Sequence, residues 1–484
     1  MPRYVTVLGY VWLTASIALA QLQPGAGPKQ PTSKQSAQVD QFQIDWDQVN
    51  AETTGRLAEY VRIDTSNPPG NESRGVEWLK QIFQAEGIPF QTGESAPGRG
   101  SIAARLKGTE KEPALVLLSH IDVVPVNREF WSVDPFAADI RDGYLWGRGA
   151  VDTKSLTIAG LEAMLLLHRN HVPLRRDVIL LATADEEAGG SYGAGWVVKN
   201  HPEWISGAGF LLNEAARAVA DDSGKPLYFR TGPTEKTPAW LKLTAKGRAG
   251  HGAIPNPDSA VNHLVAALER VRAYRPPLQV TPAVEYALRT QAPYEAEPWR
   301  SRFADVRSYI QTPSAYEELL KRPPILALLQ NTVAITGLEG SKKINIVPPV
   351  ATAQLDCRLL PGTTVEQWIQ EVRKVVQDDS ITIDVILNFP PNESRIDTPL
   401  HAAIERAVTQ LYPAAGLIGA VDTGFTDSHF FREKGITSYG FGPFAMKLED
   451  LLRVHGNDER IPVNAFAGGV RLMWEIIYDF SRAQ

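Results

Sequence analysis

A histidine and a carboxylate lie at the end of one of the most hydrophobic stretches of this chain. The segment "LLSHIDVVPV" (117–126) continues an apolar run that starts at Ala114, and it contains His120 and Asp122. An imidazole is a common metal ligand and general base, and a nearby carboxylate can orient it. Residues two apart in a strand face the same side, so these two side chains can act together. Alone, the pair is more typical of a structural histidine, and its interpretation depends on the rest of the chain.

Further acidic residues and a second histidine occur in a similar setting. They are Asp152 in "GRGAVDTK", Asp185, Glu186 and Glu187 in "ATADEEAGG", Glu214 in "LLNEAA" and His455 in "VHGNDERI". Each has an ordinary structural interpretation, as a turn residue, a helix start or a loop histidine. Together they are harder to explain in that way, because each buried charge costs several kcal/mol unless a cation compensates it. Open α/β sheets hold ligands at the carboxyl ends of their strands, so the set favours a metal site there.

The types of ligand indicate which metal is expected. Two histidines and several carboxylates suit Zn²⁺, with Co²⁺ or Mn²⁺ as substitutes. A thiolate ligand is not expected, because Cys357 is the only cysteine and lies on the apolar side of the strand-like "ATAQLDCRLL". Asp152, Glu187 and Glu214 would together offset most of the charge of two zinc ions and leave room for one hydroxide. The charge balance favours two zinc ions.

The elements that position these residues follow an α/β pattern. Long apolar runs such as "PALVLLSH" and "DVILLATADEE" are typical of strands buried on both faces of a parallel sheet, and the helix-like "SLTIAGLEAMLLLHRN" fits the crossover between them. From about residue 238 the pattern alternates, as in "AWLKLTAKGRAGHGAIP". We therefore predict an α/β catalytic domain at 41–237 and 361–484, with a mostly parallel sheet flanked by helices. An inserted α+β lid or dimerisation domain is predicted at 238–360.

The amino-terminal segment predicts export. Arg3 precedes the apolar "VTVLGYVWLTASIA", and "ALA" at 18–20 suits cleavage, so residues 1–20 are interpreted as a signal peptide. An uncleaved membrane anchor is the alternative. Residues 21–40 are rich in Gln, Pro, Gly and Ser and are interpreted as a disordered tether. We expect a periplasmic or extracellular protein without stable membrane insertion after cleavage. The net charge of −6 and the lack of a Lys/Arg cluster argue against a nucleic-acid partner.

Five segments carry a resemblance to a known family. In this order, and from about residue 50 to the carboxyl terminus, the chain resembles the M20 family of metallopeptidases and amidohydrolases in "SHIDVVPV", "GRGAVDTK", "ATADEEAGG", "GRAGHGAIP" and "VHGNDERIPV". That family includes aminoacylases, carboxypeptidases, dipeptidases and desuccinylases. The resemblance implies a zinc-dependent hydrolase that cleaves a peptide or N-acyl amide bond next to a free carboxylate.

The resemblance also implies a role for each residue of the set. The implied ligands of the two zinc ions are His120 and Glu214 at one ion, Glu187 and His455 at the other, and Asp152 as the bridge. Glu186 is the implied general base, which takes a proton from water and passes it to the departing nitrogen. Asp122 is the implied orienting group of the His120 ring.

Residues of the lid and of a later loop match positions that contact substrate in the family. His251 in "GRAGHGAIP" matches a histidine that donates to the oxyanion, often in the partner subunit's site, which implies a homodimer through the lid. Asn345 and Arg358 match positions that hold the substrate carboxylate. Gly424 and Thr426 lie in "DTGFTDSHF", which is similar to the family's substrate loop. The alternatives are a turn histidine at position 251 and an ion pair between Arg358 and Asp356.

Two departures from the family pattern bear on specificity. Glu214 is a glutamate, as is frequent in N-acyl-amino-acid deacylases, and a long insertion at roughly 284–330 resembles the longer lids of the yeast vacuolar carboxypeptidase branch. We hypothesise that this insertion forms an apolar pocket. Two activities stay open, carboxypeptidase or dipeptidase and N-acyl-amino-acid amidohydrolase. A catalytically silent binding protein would lack a ligand or the base, and none is missing. The inserted "GHGAIP" segment argues against another di-zinc aminopeptidase family.

Overall fold

Helices and strands alternate along most of the chain. The structure is a computed structural model that describes residues 42–109 and 111–483. The predicted signal peptide and tether lie outside the described residues. The strands are β1 (Phe90–Glu94), β2 (Gly100–Leu106), β3 (Glu112–His120), β4 (Ile140–Arg141), β5 (Tyr144–Trp146), β6 (Arg176–Thr183), β7 (Ala208–Ala220), β8 (Pro226–Glu235), β9 (Thr237–Lys246), β10 (Gly250–His251), β11 (Thr332–Glu339), β12 (Ile346–Val347), β13 (Val350–Leu359), β14 (Thr382–Asn388), β15 (Gly416–Asp422), β16 (Thr437–Met446) and β17 (Arg460–Pro462).

The α-helices vary from single turns to five turns. They are α1 (Trp46–Arg62), α2 (Ser73–Glu86), α3 (Lys154–Arg169), α4 (Ala194–Asn200), α5 (Ala260–Ala273), α6 (Pro282–Gln291), α7 (Trp299–Ala304), α8 (Val306–Tyr309), α9 (Ala315–Leu319), α10 (Pro323–Leu328), α11 (Val365–Val376), α12 (Pro399–Leu411), α13 (Ser428–Arg432), α14 (Leu448–Leu451) and α15 (Val463–Ser481). Short 3-10 helices occur at Arg128–Phe130, Glu186–Ala188, Pro202–Ile205 and Ala292–Tyr294.

An eight-stranded mixed sheet has the strand order β1-β2-β6-β3-β7-β16-β8-β15. Strand β3 runs parallel to β6 and to β7, and β16 runs parallel to β7. Strands β1 and β2 add to one side in antiparallel orientation, and β8 is antiparallel to β7. The predicted α/β class is confirmed, and the strands that carry the candidate ligands belong to the parallel part of the sheet.

Helices cover both faces of β3, which explains why this strand is apolar without alternation. Val116 and Leu118 pack in a cluster with residues of α4 and α13 on one face. On the other face, Leu117 and Leu180 lie against Gly160 of α3, and α15 packs against α3. A strand fixed on both sides by packed side chains presents the residue at its end, His120, in a defined position.

A separate four-stranded antiparallel sheet has the strand order β11-β13-β9-β14. Helices α5 and α11 cover one face of it, and buried residues alternate with more exposed ones along β9 and β13. This arrangement confirms the predicted α+β pattern. Cys357 lies in the core of this sheet, where burial raises the pKa of its thiol to about 12, as expected for a buried apolar cysteine.

The four-stranded sheet and its covering helices include residues beyond the predicted insertion at 238–360. Helix α11 and strand β14 follow residue 360 but pack with the four-stranded sheet, because β14 pairs with β9 over a long sequence distance. Helices of the insertion instead pack against β15 of the large sheet, where Val284 and Val421 share a core. Residues 45–484 form one compact unit, and the division into two domains stays a prediction. Across residues 42–109 and 111–483, no helix is long and apolar enough to cross a membrane.

Candidate active site

The candidate metal ligands come together from five separate segments of the chain. His120 is the last residue of β3, and Glu214 lies within β7. Asp152 lies in the turn before α3, Glu187 lies in the 3-10 helix that follows β6, and His455 lies in the loop that follows α14. The structure therefore brings together residues that are far apart in sequence, at the carboxyl ends of β3 and β6 and just beyond the part of β7 that pairs with β3.

Asp152 lies between the two histidines. Its Oδ1 is 3.3 Å from Nε2 of His120, and that same nitrogen is 3.3 Å from Oε1 of Glu214. Its Oδ2 is 3.1 Å from Nε2 of His455, and that nitrogen is 3.2 Å from Oε2 of Glu187. The cluster thus divides into two halves, each with one histidine and one glutamate, and Asp152 offers one oxygen to each half.

Burial and mutual repulsion shift the pKa values of the carboxyl groups. Burial, with the nearby Glu214 carboxylate, raises the pKa of Glu186 well above its usual value. Burial, with the nearby Asp152 carboxylate, raises the pKa of Glu214 to about 7. Burial also acts to raise the pKa of Asp152, but Arg217 and the two histidines outweigh it and hold that pKa well below its usual value. Carboxylates buried this closely are stabilised by a positive charge among them.

The residues present fit a divalent cation. One group of possible ligands is His120, Glu186 and Glu214, and another is His120, Asp152 and Glu187, with ligand atoms within 4.8 Å of one another in each. Oε1 of Glu187 is buried and has no hydrogen-bond partner within the described residues. Buried polar atoms are normally paired, so this oxygen is suited to bind a cation. Imidazole and carboxylate are the ligands that zinc accepts.

Asp122 supports the cluster in two ways. Nδ1 of His120 lies 2.8 Å from the backbone carbonyl oxygen of Asp122. Because a carbonyl only accepts hydrogen bonds, Nδ1 carries the proton and Nε2 is free to bind a metal. The carboxylate of Asp122 accepts the backbone N–H groups of Glu186 at 3.1 Å and Glu187 at 3.2 Å. It also accepts the side-chain amide of Asn67 at 2.8 Å.

Three supporting residues were missed by the sequence analysis. Glu459 accepts the backbone N–H of Asp152 at 3.1 Å and pairs with Arg148 at 2.6 Å, so it holds the turn that carries Asp152. Glu459 lies within the motif "VHGNDERIPV", which was a usable signal. Asn67 and Arg217 had no such signal. Nη2 of Arg217 lies 3.1 Å from Oδ2 of Asp152, so the positive charge of a guanidinium contacts the central carboxylate.

His251 and Asn345 are brought together on a two-stranded ribbon. Strand β10 pairs with β12, so that His251 lies opposite Ile346, and the backbone N–H of Gly252 donates to the carbonyl of Asn345 at 2.9 Å. Both His251 and Asn345 are exposed. In the described part of the chain, no hydrogen bond or ion pair joins His251 to the metal cluster, which agrees with either a role in a partner subunit's site or a turn histidine.

Arg358 lies beside the loop that carries Gly424 and Thr426. Its guanidinium is 5.2 Å from the ring centroid of Phe425, and it pairs with Asp356 through contacts of 2.7 Å and 3.0 Å. The alternative ion pair is therefore formed. Gly424 is exposed, whereas the hydroxyl of Thr426 is buried and already engaged, because it donates to Glu235 at 2.8 Å and accepts from the Asn213 amide at 3.2 Å.

The mixed sheet and the buried histidine–carboxylate cluster define a metal-dependent hydrolase. The chain belongs to peptidase family M20/M25/M40, whose model matches residues 116–479. It is 30% identical over 371 residues to the N-fatty-acyl-amino acid synthase/hydrolase PM20D1 of Xenopus tropicalis. That match covers 75% of this chain and 72% of that protein. It is 27% identical over 428 residues to aminoacylase-1 of Sus scrofa, which covers 87% and 93%.

A solved structure shows the same fold. The M20 family metallo-carboxypeptidase Sso-CP2 from Sulfolobus solfataricus superimposes with a TM-score of 0.68 at 19% identity, covering 89% of this chain and 99% of that one. The predicted family is therefore confirmed. This chain is a hydrolytic enzyme, and its chemistry is the metal-dependent hydrolysis of amide bonds.

Proposed function

We propose that this enzyme uses two zinc ions to cleave an amide bond next to a free carboxylate, with N-acyl amino acids as the first substrate class. The observation that carries the proposal is the position of Asp152, which offers one oxygen to the half-site of His120 and the other to the half-site of His455. A carboxylate shared by two cations is a familiar arrangement in hydrolytic sites.

In this proposal each ion has its own pair of ligands besides the shared Asp152. His120 and Glu214 would hold one ion, and Glu187 and His455 would hold the other. Co²⁺ or Mn²⁺ would suit the same oxygen and nitrogen ligands. Zinc bound by these residues would supply the positive charge that polarises an amide carbonyl and makes water more acidic.

Glu186 is the proposed general base. Its carboxyl group is buried within ligand distance of His120 and Glu214, beside the position where the ions and their water would lie. It takes the proton of the attacking water and delivers it to the departing nitrogen. Its neighbour Glu187 faces His455 and binds metal, so the two adjacent glutamates have different tasks.

Arg358 is the proposed partner of the substrate carboxylate. A guanidinium binds a carboxylate in bidentate fashion, and Asp356 holds this one in place beside Phe425. His251 is the proposed donor to the developing oxyanion, acting in a partner subunit's site, with Asn345 beside it. Gly424 contacts substrate through its backbone in this proposal, and Thr426 supports the loop. A homodimer is therefore part of the proposal, and light scattering on the purified protein tests it.

N-acyl amino acids come first because the relatives named above are an N-fatty-acyl-amino acid synthase/hydrolase and an aminoacylase. Peptides with a free carboxylate are the second candidate, because the family is a peptidase family. Assays of the zinc-loaded enzyme on paired panels of dipeptides and N-acyl amino acids separate the two classes. Carboxyl-amidated controls test the role of the free carboxylate, and equal rates on amidated and free substrates would contradict it.

Export to the periplasm or the extracellular space is also part of the proposal. It is supported by Arg3, the apolar stretch after it and the small residues at 18–20. Amino-terminal sequencing of the mature protein tests it, and we expect the first residue to be Gln21. A chain that begins at the initiator methionine in the cytoplasmic fraction would contradict it.

A further inference from the structure

A cleft of about 560 Å³ lies between the inserted helices and the edge of the large sheet. Val421 of β15 lines one side, and Ile325 and Leu328 of α10 line the other. This volume is within the range of sites that hold small molecules, roughly 300–1,000 Å³. The candidate metal ligands are all described in the structure, and none of them lines this cleft. The cleft is therefore a cavity of ligand size that is separate from the candidate active site.

Three cationic side chains also line the cleft: Arg230 of β8, and Lys321 and Arg322 before α10. The guanidinium of Arg322 is paired with Glu295 at 3.1 Å, so a carboxylate already offsets its charge. Arg230 and Lys321 differ from it, because neither forms an ion pair within residues 42–109 and 111–483. Two positive charges of the lining thus have no carboxylate bound to them in the described part of the chain.

Arg230 is held in place without a charged partner. Its Nη2 donates to the hydroxyl of Tyr228 at 3.3 Å, and its guanidinium lies 5.1 Å from the centroid of the same ring. A guanidinium has five N–H donors, and this hydrogen bond uses one of them. A side chain that is already oriented loses little freedom when it binds an anion. Arg230 is therefore suited to bind an acid group in the cleft.

Asp422 is the one acidic residue among the described residues that line the cleft, and its carboxylate contacts the backbone of the sheet. Its Oδ2 accepts the backbone N–H of Ala216 at 3.3 Å and lies 3.2 Å from where a Cβ on Gly232 would be. Burial, with the nearby Glu235 carboxylate, raises the pKa of Asp422. One carboxylate in this position does not offset both Arg230 and Lys321.

We propose that this cleft is a second ligand site, which binds a small organic anion with an apolar body. The acid group pairs with Arg230 and Lys321, and the apolar body lies against Val421, Ile325 and Leu328. An uncharged molecule of the same shape leaves Arg230 without its partner, and a cation meets two like charges. This site goes beyond amide hydrolysis, and the ligand that it binds is not a substrate of the metal cluster.

Two fluorescent probes of similar shape test the proposal on the full chain. Anilinonaphthalene sulfonate is an organic anion with an apolar body, and N-phenylnaphthylamine has nearly the same body without the acid group. Fluorescence titration gives a dissociation constant for each probe. The ratio of the two constants isolates the contribution of the charge from that of the apolar body, which both probes share.

We expect the sulfonate to bind the unmodified protein at least about tenfold more tightly than the uncharged probe, because a hydrogen bond to a charged group is worth roughly that factor. Arg230→Gln should bring the ratio close to one. Lys321→Gln, at an exposed position, should lower the ratio about threefold. Leu328→Trp should fill the cleft and weaken both probes at least about tenfold.

Arg289→Gln is the matched control, because Arg289 lies on α6 of the same insertion, is exposed and does not line the cleft. It should leave both constants unchanged. Treatment of the unmodified protein with a metal chelator should also leave them unchanged, since the metal ligands are not part of the cleft. Melting temperatures check folding, and Lys321→Gln decides the question of charge if Arg230→Gln does not fold.

A ratio near one in the unmodified protein overturns the proposal. So does a ratio that Arg230→Gln and Lys321→Gln both leave intact, or sulfonate binding that Leu328→Trp does not weaken. Loss of sulfonate binding after chelation would place the probe at the metal cluster and would also overturn it. None of these measurements uses hydrolysis, so the site and the proposed function stand or fall separately.

Discussion

The ring of His120 is held by the backbone of Asp122 more closely than by its carboxylate. Nδ1 of His120 is 2.8 Å from the carbonyl oxygen of Asp122 and 3.6 Å from its Oδ1. The carboxylate instead accepts the backbone N–H groups of Glu186 and Glu187. Asp122 therefore links the orientation of the His120 ring to the positions of Glu186 and Glu187, which follow a different strand, β6.

Replacing Asp122 should lower kcat, and the loss should be larger when more of its hydrogen bonds are removed. Asp122→Ala removes the acceptor of both backbone N–H groups, and we expect kcat to fall about 10- to 100-fold, as is typical for groups that support metal ligands. Asp122→Asn keeps one acceptor oxygen and should lose less. Steady-state kinetics with zinc analysis measures both effects. Asp139→Ala, at an exposed aspartate, is the control. Equal activity in Asp122→Ala and the unmodified enzyme would contradict this role.

Arg217 should weaken the binding of one cation. Its Nη2 is 3.1 Å from Oδ2 of Asp152, the same oxygen that is 3.1 Å from His455. A fixed positive charge there repels a cation at the His455 half-site. We expect Arg217→Met to tighten the weaker zinc site by about tenfold or more, and Arg217→Lys to stay near the unmodified value. Competition with a chelating dye measures the two affinities. Weaker zinc binding in Arg217→Met would show that the arginine acts mainly by orienting Asp152.

Glu186 should be essential for turnover but not for metal content. If it is the base, Glu186→Gln loses at least about 10³-fold in kcat and keeps its zinc. Metal analysis is needed alongside kinetics, because Glu186 also lies within ligand distance of His120 and Glu214. Glu203→Gln, at an exposed glutamate, is the matched control. Loss of one zinc ion per chain in Glu186→Gln would make it a ligand instead, and near-normal turnover would remove it from the mechanism.

Glu162 should make stability depend on pH away from the active site. It is buried in α3 beside Arg56, and burial raises its pKa to about 7 although Arg56 opposes the shift. Because this pKa is higher than in the unfolded chain, the stabilisation is fully present below about pH 4.3 and is lost as the pH rises through about 7.

Glu162→Gln removes this titration. The free energy of unfolding of Glu162→Gln minus that of the unmodified protein should be more positive at about pH 8 than at about pH 5, by roughly 2–4 kcal/mol. Urea unfolding at both pH values measures this difference, and the contribution of the metal ligands cancels between the two proteins. A difference that does not change with pH would contradict the shifted pKa.

The sequence predicts those parts of the site that depend on regular elements. Apolar strands covered on both faces leave a clear pattern, so the position of His120 at the end of β3 follows from residues 114–120. The alternation in β9 and β13 likewise predicts a half-exposed antiparallel sheet.

Irregular backbone explains what the sequence does not predict. Ala215 and Ala216 have positive φ angles of 80° and 45°, which make β7 irregular after Glu214, and the pairing of β7 with β16 shifts in register between Asn213 and Arg217. Alanine rarely adopts this conformation, so the contact of Arg217 with Asp152 has no local sequence signal. The pairing of β14 with β9 is similar, because alternation predicts a strand without naming its partner.

Anomalous X-ray diffraction from crystals of the zinc-loaded enzyme, measured on both sides of the zinc absorption edge, tests the central claim most directly. We predict two zinc peaks in the cluster, one bound by His120 and Glu214, the other by Glu187 and His455, with Asp152 contacting both. A single peak, no peak in the cluster, or an Asp152 carboxylate that contacts only one ion would contradict the di-zinc account.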